Sequence, residues 1–190
     1  MRKLKGVQLY ACMTLGVFIS AFSLYTAAFG VLAPFYQRGI HILALLPMVF
    51  FLYPATKASP KDHITLVDLF WIVVSIIPCI YTILNKDILE RRMIFVDHLS
   101  TMQIVMGIIL IVCFVEAVRR SVSTVMEGLF VIFLVYLYVG PYLSGIMAHK
   151  GLKLERIIET CTMITDQGIF GSLMGTSATF IIVFCIFGAF

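Results

Sequence analysis

The chain reads as an all-α polytopic membrane protein with about six transmembrane helices and interfacial amphipathic linkers. Three observations predict this. The 190 residues are 61% hydrophobic and only 13% charged, against roughly 25% charged in an ordinary soluble domain, and mean hydropathy is +1.04. The apolar residues form runs of a length that crosses a bilayer, which takes about 20 residues. The charges gather in short clusters between those runs, as they do in loops. No soluble domain is visible. A net charge of +4 scattered over loops lacks the basic face that nucleic acid requires.

Arg2, Lys3 and Lys5 precede an apolar run, which favours a cytoplasmic N-terminus. A signal peptide is the rival reading, with Thr26-Ala27-Ala28 as a cleavage-like site. The uncharged stretch from Gly6 to Gln37 is much longer than a signal core, so it should anchor. Span 1 is expected from Leu9 to Ala33, closed by Pro34, with Gln37 to His41 as a tight turn. Span 2, Ile42 to Tyr53, is short even when extended from Gly39 to Ala55. It is a crossing or a tilted, partly re-entrant helix, with Pro47 as a kink site.

Lys57 to His63 is a polar loop. Span 3 is expected from Leu66 to Leu84, with Asp68 in its first turn, where a carboxylate suits the helix N-terminus. Asn85 to Ser100 mixes charges with Ile88, Leu89, Met93, Ile94 and Val96, as an interfacial amphipathic helix would. Span 4 is expected from Met102 to Val118 and span 5 from Met126 to Leu143, where Gly140-Pro141 stops or bends the helix. Ala148 to Thr165 again has amphipathic spacing.

The stretch from Asp166 to Phe190 has two unlike halves. Gly168, Gly171, Gly175, Ser172, Thr176 and Ser177 make the first half small, and Gly171-xxx-Gly175 has the spacing for close helix approach. Ile181 to Phe187 are almost purely apolar. Span 6 begins near Ile169. No polar flank follows it, so the sequence is expected to be a fragment of a longer chain. If every segment crosses, the fourteen basic residues divide equally between the two sides, and orientation rests on the first helix alone.

Candidate chemistry is sparse. Cys12, Cys79, Cys113, Cys161 and Cys185 form no CxxC and have no neighbouring histidine, so they read as small core residues rather than metal ligands or disulfides. His41, His63, His98 and His149 are placed at span ends or in loops, which argues against a bis-histidine haem. Gly175-Thr176-Ser177 is not the GxSxG of a serine hydrolase, and no nucleotide-binding loop is present. The best ionic cluster is Glu116, Arg119 and Arg120, with the carboxylate three and four residues ahead of the arginines, the favourable order on a helix. Charges at membrane depth are functional suspects. The plainer readings are that these three snorkel to headgroups at the end of span 4, or that Glu116 pairs with an arginine and fixes the turn into span 5. No catalytic residue, substrate-binding residue or metal ligand emerges, and the chain is not expected to be an enzyme.

Three stretches, in order, resemble the fused membrane subunit of TRAP transporters, the tripartite ATP-independent periplasmic family, in its TAXI-type branch. The first is Tyr25 to Gly30 with Gln37 to His41 and Phe50 to Pro54. The second is Glu116 to Arg120 with Tyr138 to Tyr142 and Ala148 to Gly151. The third runs from Gly168 through Ser177 to Phe180 and on to Phe190. The resemblance implies a small-subunit-like helical domain over residues 1–147, an amphipathic linker over 148–168, and the truncated first span of a large transport domain over 169–190. It implies a multi-pass permease component of the bacterial inner membrane, taking up organic acids with a sodium or proton gradient and no cofactor. The implied partners are a periplasmic substrate-binding protein and the remainder of the large transport subunit. Family ion and substrate sites lie mainly in that remainder, so no binding residue carries over. The alternative reading is a small self-contained membrane assembly subunit without transport activity. A third, a membrane redox enzyme, lacks the buried paired histidines it needs.

Overall fold

A computed structural model describes residues 2, 4–56, 59–60 and 62–189. The described residues are all-helical, and five of the helices are long and apolar enough to cross a membrane.

Helix α1 covers Val7–Phe29 and α2 covers Pro34–Leu52. Gly30, at φ 109°, ends α1 while its N–H still reaches the Thr26 carbonyl. Pro34 was expected to close the first span; it opens the second instead. At the first position of a helix its missing N–H costs nothing, because that group has no intrahelical partner there, and its fixed φ suits the helix. The expected turn at Gln37 to His41 is therefore the second turn of α2. With 19 residues, α2 reaches span length without help from its flanks.

Helix α3 is Leu66–Leu84. Asp68, at its third position, accepts hydrogen bonds from the Thr65 backbone N–H (2.9 Å) and hydroxyl (2.6 Å), which fixes the helix start. The linker expected to be one amphipathic helix is only partly so. Lys86–Arg91 forms the short α4, and the chain then turns without helix to Ser100. Helix α5, Thr101–Ser121, starts with a reciprocal cap. Ser100 Oγ accepts from the Gln103 N–H (3.3 Å), and Gln103 Oε1 accepts from the Ser100 N–H (2.9 Å). Helix α6, Thr124–Val139, runs into a single 3₁₀ turn at Gly140–Tyr142, where Pro141 cannot continue the hydrogen-bond ladder. Helix α7, Leu154–Thr162, is the helical part of the second amphipathic linker. Helix α8, Ser172–Gly188, contains a π-helical turn at Ser177–Ile181.

Helix α2 is the hub. It packs most extensively on α3 and also touches α1, α5 and α8, while α5 carries α3, α6 and α7. The apolar core joins Phe35, Ile42 and Phe50 of α2 to Cys79 of α3, Leu110 and Cys113 of α5, Ile158 of α7 and Phe170. Helix α7 lies close on α5 because Gly107 has no side chain. A β-carbon there would stand 2.5 Å from Ile158 Cγ2 and 2.7 Å from Thr162 Oγ1. Helix α6 is the outlier: none of its residues is buried, and Leu129, Ile132, Phe133 and Val135 face outward.

The cysteines are all free. Cys12, Cys79 and Cys113 are buried, and Cys161 is half-buried, but Cys185 is exposed rather than in a core.

Candidate functional site

Three polar clusters stand out in this apolar molecule, and each ties together segments far apart in sequence. The first closes one end of the α2–α3–α5 bundle. Asp68 is at its centre, with its side chain fully buried. Its Oδ2 accepts from Arg2 Nη2 at 2.5 Å and its Oδ1 from Arg120 Nη1 at 2.6 Å. Glu116 accepts from Arg119 Nε (2.7 Å) and Nη2 (2.6 Å), a two-pronged pair, and from Arg120 Nε at 2.6 Å. Arg2 also donates to the carbonyls of Pro60 and Phe50, and Arg119 to that of Ala55. The Arg120 guanidinium lies 5.0 Å from the Phe50 ring centroid, a cation–π contact. Three guanidinium groups and two carboxylates leave one net positive charge.

Glu116, Arg119 and Arg120, singled out in the sequence, thus come together, but not as an outward-reaching set. Arg120 does not snorkel: its side chain is fully buried and turned inward to Asp68. Arg119 alone keeps about a third of its side chain exposed. The partners Arg2 and Asp68 are 66 residues apart, and Asp68 and Arg120 are 52 apart. Spacing along a helix carries no signal for either pair.

The second cluster lies where α8 meets α1 and α2. Arg38 Nη1 donates to the carbonyls of Thr165 and Phe170, which holds the turn leading into α8. Phe170 packs edge-on against Phe35 of α2, with centroids 5.6 Å apart. The glycine of the small-residue stripe that faces α2 serves this arginine. A β-carbon on Gly175 would lie 2.9 Å from Arg38 Nε and Nη2, so glycine there makes room for a guanidinium rather than for another helix backbone. Gln37 Nε2 donates to Thr26 Oγ1 at 3.1 Å, and His41 Nε2 lies 3.3 Å from Ser177 Oγ. His41 was placed at a span end by the sequence; it is buried inside α2, because the helix starts at Pro34. Beside this row a cleft of about 260 Å³ is lined by Gln37, Arg38, Ser172, Thr176 and Thr179 among others.

The third cluster fastens α7 to the Arg92–Leu99 segment. The buried Glu159 accepts from Arg92, from Arg156 Nη1 (2.9 Å) and from the Phe95 N–H (3.1 Å). Arg156 also holds the Phe95 carbonyl. With both backbone groups gripped, Phe95 takes φ 65°, which an L-residue with a bulky side chain rarely adopts. Glu155 accepts from the Leu99 N–H at 2.8 Å and faces His98 at 3.4 Å. The Leu99 N–H, with His98 beside it, holds the Glu155 carboxyl below its ordinary range.

His149 closes the loop after α6. Its Nε2 lies 3.1 Å from the Tyr136 carbonyl, and its Nδ1 accepts from the Gly151 N–H at 3.0 Å. A carbonyl only accepts, so Nε2 is the donor in that contact. His63 and His98 are exposed, so His41 is not paired with a second buried histidine.

Among the described residues, no group of three or more His, Cys, Asp or Glu side chains is placed to hold a metal ion. No family model matches the chain, and no curated protein or solved structure matches it.

Proposed function

We propose that the chain is a multi-pass membrane permease component of an ion-gradient-driven, binding-protein-dependent secondary transporter for organic acids. In this reading it lies in a bacterial inner membrane with six membrane segments, α1, α2, α3, α5, α6 and α8. The short helices α4 and α7 lie at the interface. Sodium or protons supply the driving gradient, and a periplasmic substrate-binding protein and the rest of a large transport subunit are the partners.

The observation that carries the reading is how α8 is seated. The first five long helices are bound to one another through α2 and α5, with a buried ion cluster at one end. Helix α8 instead meets α2 through a polar row, Arg38, Gln37 and His41, beside a cleft lined by both polar and apolar side chains, while its apolar end lies against α1. A stiff helical scaffold that offers a polar seat to one further, locally irregular helix is what a small subunit supporting a transport domain needs. Secondary transporters build their substrate and ion sites from helices interrupted near the middle of the membrane. The TRAP-like order of motifs adds weight, since Gln37-Arg38 and Gly168 to Phe180 are two of the stretches that carry it.

The test is uptake into proteoliposomes by the product of the whole gene, with its neighbouring binding protein and an imposed sodium or proton gradient. Uptake of an organic acid that needs both gradient and binding protein supports the proposal and names the ion. A well-folded complex that takes up nothing under either gradient sinks it and leaves the self-contained assembly subunit.

A further inference from the structure

Two polar rungs cross the molecule between α1, α2 and α8. In the first, Gln37 bonds Thr26 and stands 3.5 Å from the Ala178 carbonyl. In the second, one turn along α2, His41 meets Ser177. Both α8 partners lie in its π-helical turn, a feature frequent at functional sites. Helices α1 and α2 form an antiparallel hairpin, since the Arg2 N–H reaches the Leu52 carbonyl across their far ends. Thr26 opposite Gln37 therefore sets Ser23, one turn back along α1, level with His41, one turn on along α2.

Ser23, Gln37 and His41 are each only 1% exposed. Yet Ser23 Oγ, Gln37 Oε1 and His41 Nδ1 have no hydrogen-bond partner among the described residues. A buried polar atom left unpaired is costly, and native proteins pair the large majority of buried polar groups. The other buried orphans, Arg92 Nε and Arg120 Nη2, belong to guanidinium groups already committed to ion pairs. The three in this seam sit on adjoining turns of the α1–α2 hairpin.

We propose that Ser23, Gln37 and His41 enclose an ordered internal water site. The donor set selects the ligand. An amide oxygen accepts, a hydroxyl gives or takes, and an imidazole nitrogen does whichever its tautomer allows. One water satisfies all three, and internal waters make about three hydrogen bonds. A divalent cation finds no carboxylate in either rung, and hard cations take oxygen rather than the nitrogen that His41 offers. The neighbouring charge, Arg38, is engaged with the Thr165 and Phe170 carbonyls. Water thus joins α1 to α2 beside the π-helical turn, and a hydrated polar seam adds to the apolar packing that Met174 and the apolar end of α8 make there.

The test is solid-state NMR on the ¹⁵N-histidine-labelled protein in liposomes, with magnetisation transferred from water. The His41 signal is assigned by its loss in His41→Asn. Transfer from water to the His41 ring is expected, unchanged when sodium is exchanged for choline. Ser23→Ala removes one partner of the water and is expected to cut the transfer to His41 several-fold while leaving that to His149 unaltered. If Ser23→Ala does not fold, Gln37→Met serves the same purpose. A wild-type seam with no transfer is dry, which overturns the proposal. So does a His41 signal that shifts saturably with sodium or potassium, since a cation then fills the site. Neither result bears on whether the whole transporter moves an organic acid.

Discussion

Replacing Asp68 with asparagine is the sharpest test of the buried ion cluster. The substitution keeps the shape and the polar contact to Thr65 but removes the charge that two guanidinium groups share. Breaking one partner out of a buried ion pair costs about 3–5 kcal/mol, because the other charge stays buried without compensation. The structure argues for the lower end. Arg120 keeps Glu116 at 2.6 Å, and Arg2 keeps the Pro60 carbonyl at 3.2 Å. About 3 kcal/mol in a chain of this size lowers the melting temperature by roughly 6–12 °C. The assay is thermal unfolding in detergent, followed by dye labelling of the fully buried thiols Cys79 and Cys113 after the exposed Cys185 is blocked. A companion variant, Asp68→Asn with Arg120→Met, removes one stranded charge and should recover at least about 1 kcal/mol relative to additivity. A shift below about 2 °C for Asp68→Asn, or strict additivity in the double variant, would refute the view that this cluster binds the N-terminus, α3 and α5 together.

Gly107→Val is expected to cost about 1–3 kcal/mol through overpacking, since even a β-carbon meets Ile158 and Thr162 closer than contact distance; the same thiol-labelling melt reads it. Glu155 gives a pH prediction. Its carboxyl titrates below its ordinary range in the folded protein, so its grip on the Leu99 N–H stabilises α7 fully above that range and is lost as pH falls through the depressed value. Hydrogen exchange at the Leu99 amide, corrected for intrinsic rate, should show protection falling on acidification, and Glu155→Gln should remove most of that pH dependence. His149→Ala removes the ring's contact with the Tyr136 carbonyl, which keeps the Gly140 N–H, and leaves the Gly151 N–H without its acceptor, so limited proteolysis over residues 143–151 should quicken several-fold while cleavage elsewhere is unchanged.

The helices were legible in the sequence because an apolar run bounded by Ser, Thr or Gly has few other options. Thr65 with Asp68 and Ser100 with Gln103 mark two helix starts in plain view. Pro34 was misread because proline both ends one helix and begins the next, and only the length left over decides which. That misreading put His41 at a span end and hid the α2–α8 seam. The ion cluster was half legible: Glu116, Arg119 and Arg120 share a helix face, whereas Arg2 and Asp68 join them only through the fold. A physical reason underlies the difference. Apolar side chains pack against other helices or against lipid with little to choose between them, so hydrophobic periodicity specifies helices but not their neighbours. A buried polar atom has no such freedom, because each one left unpaired in an apolar setting is costly. In this chain the information about which helix meets which is therefore carried by Arg2, Gln37, Arg38, His41, Asp68 and Glu159. All six are inconspicuous in composition, and each has at least one partner 11 or more residues away.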